Sequence, residues 1–92
     1  MSLEQLTPRL RDQLGLNGGV KGVYVAQVTA DSAAAESGVQ SGDVILGIGE
    51  QTVSTPAQVA AAIHAAERAK KSALALFVMR EGTRSYLALQ LT

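Results

Sequence analysis

Few side chains in this sequence combine the type and spacing that chemistry demands. The 92 residues contain one histidine, His64, and no cysteine. A lone imidazole holds a metal only with a cluster of carboxylates around it, and the alanine-rich stretch that carries His64 lacks one. Hydrolysis by a serine needs Ser, His and an acid in register. The segment GVQSG, Gly38 to Gly42, offers a serine between glycines, but it falls one place late for the strand-to-helix elbow that exposes a nucleophile. Gly47-Ile48-Gly49 has no third glycine at the phosphate-binding spacing and no Lys-Ser/Thr after it. The reading that remains for these glycines is a strand passing close to another backbone. Asp43, directly after Ser41-Gly42, is placed to cap a turn rather than to catalyse. His64 reads as a surface residue, and no catalytic residue, metal site or cofactor is expected.

Composition narrows the remaining classes. Eight basic and eight acidic side chains cancel, so no summed field draws the chain to nucleic acid or anionic lipid. With two tyrosines, one phenylalanine and no tryptophan there is no stacking platform for bases, and Arg9, Arg11, Arg68, Lys70 and Lys71 read as solvated helix faces. The longest apolar run, Ala73 to Met79, is far short of the roughly 20 residues of a membrane-spanning helix, so direct membrane insertion is not expected. Hydrophobic residues make up 47% of the chain, nearly all aliphatic, which suits one small core. The absence of cysteine rules out a disulfide framework without fixing the redox compartment.

The elements follow from turn and cap chemistry. Leu3 to Leu6 reads as a short strand, and Thr7-Pro8 as N-cap and first position of a helix to Leu14 that Gly15 stops. Leu16 to Gly22 is turn-rich; Val23, Tyr24, Val25 and Val28 form the next strand, ending at Ala30-Asp31. Ser32 caps a brief helix, Ala33 to Ser37, with Gly38 as its left-handed stop. Val44 to Ile48 is a buried strand that turns at Gly49-Glu50 into Gln51 to Val53. Thr55-Pro56 starts a longer helix to about Ala69, with Val59, Ile63 and Ala66 marking an inward face. Ala73 to Arg80 and Arg84 to Leu91 form a closing hairpin around Glu81-Gly82-Thr83, with Leu87, Leu89 and Leu91 on its core side. The expected architecture is mostly β: a partly open barrel or sandwich of five to six strands, capped by one long and one short helix, in one domain spanning 1–92. Met1 to Leu3 reads as the cut end of an excised piece rather than a natural N-terminus.

The stretch ADSAAAESGVQSGDVILGIGEQTV, Ala30 to Val53, resembles a PDZ domain along its short helix, Gly-Asp turn and following strand pair. With the long helix and two closing strands after it, the order of elements is similar to the permuted PDZ arrangement of bacterial HtrA/Do-like (DegP/DegQ-type) serine proteases. LTPRLRDQLGL, Leu6 to Leu16, resembles the extra helix between the first two strands of those domains, and the whole corresponds to their second PDZ copy. One departure is Ala33, where the short helix usually has a proline.

That resemblance implies a non-catalytic module of a periplasmic serine endoprotease. An extended peptide would add as a strand between the first strand, Leu3, Glu4, Gln5 and Leu6, and the long helix, through Pro56, Ala60, Ile63 and His64, while Val59 and Ala66 face the core. Gly38, Gly42 and Asp43 would frame the turn. The implied partners are peptides or unfolded polypeptides with apolar C-termini, and other domains or subunits of the parent protease. Pro56 stands where a histidine usually selects Ser or Thr in the ligand, so an apolar ligand side chain is expected instead. The glycine-containing loop that holds a ligand's terminal carboxylate belongs just before Leu3, where this sequence has no glycine: it has been cut away or lost, and excision is the preferred reading. The rival host is another PDZ-bearing protein, a site-2-type metalloprotease, a carboxy-terminal processing protease or a secretion component, where the module would gate or assemble. A third class, a small hydrolase using His64, would require peptidase activity that disappears in His64→Ala.

Overall fold

The computed structural model describes residues 1–16 and 19–91. Asn17 and Gly18, in the turn-rich loop after the first helix, and Thr92 lie outside the described residues. The elements run β1 (Ser2–Gln5), α1 (Pro8–Leu14), β2 (Val23–Gln27), α2 (Ala33–Glu36), β3 (Val44–Ile48), β4 (Gln51–Thr52), α3 (Pro56–Arg68), β5 (Ala73–Arg80) and β6 (Thr83–Gln90). All six strands form one antiparallel sheet in the order β1-β2-β3-β5-β6, with the short β4 paired to β3. The sheet is not closed. Its two end strands, β1 and β6, nevertheless border the same cavity, and this near-approach gives the expected partly open barrel its physical form.

Local chemistry accounts for the boundaries. Thr55 Oγ1 accepts from the Gln58 amide at 3.2 Å, and Gln58 Oε1 accepts from the amides of Thr55 at 3.2 Å and Ser54 at 2.7 Å, so α3 begins on a reciprocal capping box followed by proline. Thr7 and Ser32 cap α1 and α2 in the same way through their hydroxyls. The β5–β6 hairpin closes on Glu81 (φ 51°) and Gly82 (φ 81°), with Arg80 paired to Thr83. Two consecutive left-handed residues match the strand twist of a two-residue hairpin, so Thr83 belongs to the strand rather than to the turn. Gly47 in β3 passes close to another backbone, for a Cβ there would lie 3.0 Å from the Gln51 carbonyl oxygen, while Gly49 adopts a left-handed φ of 62° in the turn that follows.

Alternation divides the core between the two sheet faces. Ile45, Leu76, Val78, Val23 and Val25 are buried with Val59 and Ala66 of α3 and Ala34 of α2. The neighbouring residues Val44 and Met79 point the other way and pack with Leu6 against Leu10 and Leu14 of α1. Leu6 therefore corrects the sequence reading. It lies one residue past β1, is 5% exposed, and anchors the second cluster instead of lining a groove. The reason is that the chain turns at Leu6 into the Thr7 cap, which swings this side chain under α1.

Asp43 is the one charged residue in the buried core among the described residues, 1% exposed. Its Oδ2 accepts from the Gln40 amide at 3.0 Å, which is the turn-capping bond expected from the sequence. Beyond this, Arg80 Nε donates to Oδ1 at 2.7 Å, and Arg80 Nη2 donates to Oδ2 and to the Gly38 carbonyl, both at 2.8 Å. The hydrogen bond to Asp43 raises the Arg80 pKa above its already high ordinary value, so the guanidinium stays charged at every pH at which the protein is handled. Gly38 (φ 98°) and Gly42 (φ 94°) flank the carboxylate in left-handed conformations that favour glycine.

Two stability predictions follow from this packing. Asp43→Ala should cost about 2–3 kcal/mol in chemical denaturation, below the roughly 3–5 typical of breaking a buried pair, because the Arg80 side chain is 38% exposed and can rehydrate. Leu6→Ala should cost about 2–3 kcal/mol by leaving a cavity under α1, while apolar peptides bind the folded variant with unchanged affinity in calorimetric titration.

Candidate functional site

An apolar recess of about 440 Å³ lies between β1 and α3. Its floor is buried aliphatic surface, Val59 and Leu89. Leu3 of β1 stands on one side, and Ala60 and Ile63 of α3 stand on the other. Ser32 and Ala33, at the start of α2, and Leu91, just past β6, complete the lining.

The backbone on the β1 side is open. β1 pairs with β2 through Leu3↔Val25, Glu4↔Tyr24 and Gln5↔Val23, and it is an end strand of the sheet, so its outer edge has no strand neighbour among the described residues. Alternate residues of such an edge present their N–H and C=O groups outward. The register shifts between Ser2 and Leu3, where the pairing moves from Gln27 to Val25, and a bulge of this kind adds twist where the edge enters the recess. Edge amides, an apolar floor and a helix wall together suit an added strand whose alternate side chains enter the recess.

The residues singled out by sequence occupy several positions around this site. Leu3, Ala60 and Ile63 converge on the recess. Glu4 and Gln5 lie exposed on the edge strand. Pro56 is half-buried at the first position of α3, on the same helical stripe as Ala60 and Ile63 but outside the recess lining. His64 also lies outside the lining. Its side chain is 73% exposed, and Nδ1 stands 3.5 Å from Glu67 Oε1. Gly38, Gly42 and Asp43 form the turn described above, away from the recess. Among the described residues no group of three or more His, Cys, Asp or Glu side chains is arranged to hold a metal.

Sequence reasoning missed Glu67, Leu89 and Leu91. Glu67 had a legible signal, because it continues the 56, 60, 63 stripe at the next i+4 step. Leu89 and Leu91 were readable as core-side residues of the last strand, but their arrival beside α3 depends on the curl of the sheet.

Comparison with known proteins agrees with this geometry. The PDZ domain family profile matches residues 2–91. A protein of Brucella suis biovar 1 (strain 1330), described as a probable periplasmic serine endoprotease DegP-like, is 41% identical over 69 residues, covering 75% of this chain and 14% of that protein. The chain thus spans about one seventh of the length of that relative. Among solved structures, the HtrA-type protease AlgW with a decapeptide superposes with a TM-score of 0.77 at 32% identity, covering 97% of this chain and 26% of that one. The HtrA3 PDZ domain bound to a phage-derived ligand superposes with a TM-score of 0.79 at 22% identity, over 98% of this chain and 79% of that one, a likeness of fold. With the profile matched over nearly its whole length and the same sheet and helices in place, the chain belongs to the PDZ domain family and is similar to the PDZ domains of HtrA-type serine proteases.

Proposed function

We propose that the chain is the peptide-binding module of a periplasmic HtrA/Do-like serine endoprotease, capturing apolar segments of polypeptides by strand addition to β1. The observation that carries this reading is the recess of about 440 Å³ between the open β1 edge and the Ala60–Ile63 face of α3. Main-chain hydrogen bonds to β1 supply affinity that is indifferent to sequence, and the aliphatic floor selects an apolar side chain. The segments are C-termini or stretches of unfolded substrate, and the same edge serves for docking onto other domains or subunits of the parent. Catalysis belongs to another part of that parent. In support, the relative from Brucella suis is described as a periplasmic serine endoprotease, and the AlgW structure is that of a protease with a decapeptide.

Titration of the labelled chain with an apolar peptide, in free-acid and amidated forms, should shift the resonances of Leu3, Ala60 and Ile63. Ala60→Trp should fill the recess and abolish those shifts while leaving thermal stability within about 1 kcal/mol, since Ala60 is exposed. Shifts confined to other surfaces, or none with either peptide, would overturn the reading.

A further inference from the structure

Among the described residues, Glu67 is the only one lining the recess that has an ionisable side chain. It stands in the last turn of α3, on the stripe that carries Ala60 and Ile63, and its side chain is 51% exposed. A carboxylate so placed keeps its hydration and forms an ion pair without the large desolvation cost of a buried charge. We propose that Glu67 sets the charge preference of the groove, favouring bound strands that carry lysine or arginine two residues from their apolar anchor. This rests on the peptide-binding reading given above.

The spacing supplies the register. Ile63 and Glu67 are four residues apart, about 6 Å along the helix axis. Alternate side chains of an extended strand repeat at about 6.6 Å. A segment lying along α3 with an apolar side chain against Ile63 and Leu89 therefore brings the next side chain on the same face to Glu67. A long cationic side chain reaches the carboxylate there while its methylenes cover Ile63. An acidic side chain at that position meets a like charge.

The other charged side chains nearby face outward, and the α-amino group belongs to Met1, which also lines the recess. His64 approaches Glu67 from the side away from the groove, and Arg68 lines a separate outer hollow with Ala61 and His64. Glu67 borders both surfaces, so it forms the ridge between them. Lys70 and Lys71 follow the helix and are not part of the groove lining.

Two acetylated and amidated peptides, identical except for Lys or Glu two residues from a central valine, test this with the chain as it stands. By fluorescence anisotropy the Lys peptide should bind about three- to fivefold more tightly. The gap should shrink at high salt, close in Glu67→Gln and invert in Glu67→Lys. Equal affinities for the unaltered chain, or a gap that persists in Glu67→Gln, would overturn the role of Glu67 while leaving the groove intact. If neither peptide shifts Ala60 and Ile63, the groove reading fails and the role of Glu67 fails with it.

Discussion

The Asp43 carboxylate is the constraint around which the rest of this small structure is arranged. A charge at 1% exposure is tolerable only if its oxygens are filled, and here they accept from the Gln40 amide and from two nitrogens of Arg80. Those bonds join two places distant in the chain: the turn between α2 and β3, and the end of β5. Arg80 extends the tie by donating to the Gly38 carbonyl, at the stop of α2. A four-residue helix has no stability of its own. Its position rests on this clamp and on Ser37, whose hydroxyl accepts from the Gln90 amide at 3.0 Å. Because Ser32 and Ala33 of that segment line the recess, an ion pair outside the lining helps to fix part of its wall.

An open sheet has two edges, and the molecule treats them differently. At β6 the Gln90 amide is taken up by Ser37, and α2 packs along the strand. At β1 the edge is left beside α3, whose capping box and leading proline make a rigid wall. The second sheet face, under α1, holds Leu6 and so fixes the end of β1 without entering the recess. The result is a strand edge held firmly on both sides yet open along its length. In the proposed strand addition such an edge recognises backbone, and only the side chains of the helix and the floor make it selective.

Much of this was legible in the sequence because it is local. Thr7-Pro8, Ser32 and Thr55-Pro56 announce helix starts, Gly15 and Gly38 announce ends, and Glu81-Gly82 announces the hairpin, since each depends on neighbours within a few residues. What escaped was non-local. Nothing near Asp43 reveals that its counter-ion is Arg80, 37 residues later. The fate of Leu6 turned on a single residue of strand length, for one more residue of β1 or one fewer decides which face a side chain takes. Leu91 reaches the recess only because the sheet curls, and alternation along one strand carries no information about that curl.

The distribution of polarity along α3 is uneven, and the proposed discrimination by this groove rests on it. The first helical position is Pro56, which has no side-chain donor or acceptor and lies outside the recess lining, so the start of the helix contributes only shape. One turn on, Ala60 leaves room instead of making a polar contact, and Ile63 adds aliphatic surface. The first hydrogen-bonding side chain on the stripe is Glu67, in the final turn. The helix dipole has its negative end in the same place, although the amides of Lys70 and Lys71 satisfy the carbonyls of Glu67 and Ala66. Under the proposed peptide-binding role, a groove that is apolar along most of its wall and negative at one end reads hydrophobicity at its centre and charge at its margin. On the proposed reading its selectivity is a matter of which charge flanks the anchor, since the aliphatic floor by itself distinguishes one apolar side chain from the next only by size.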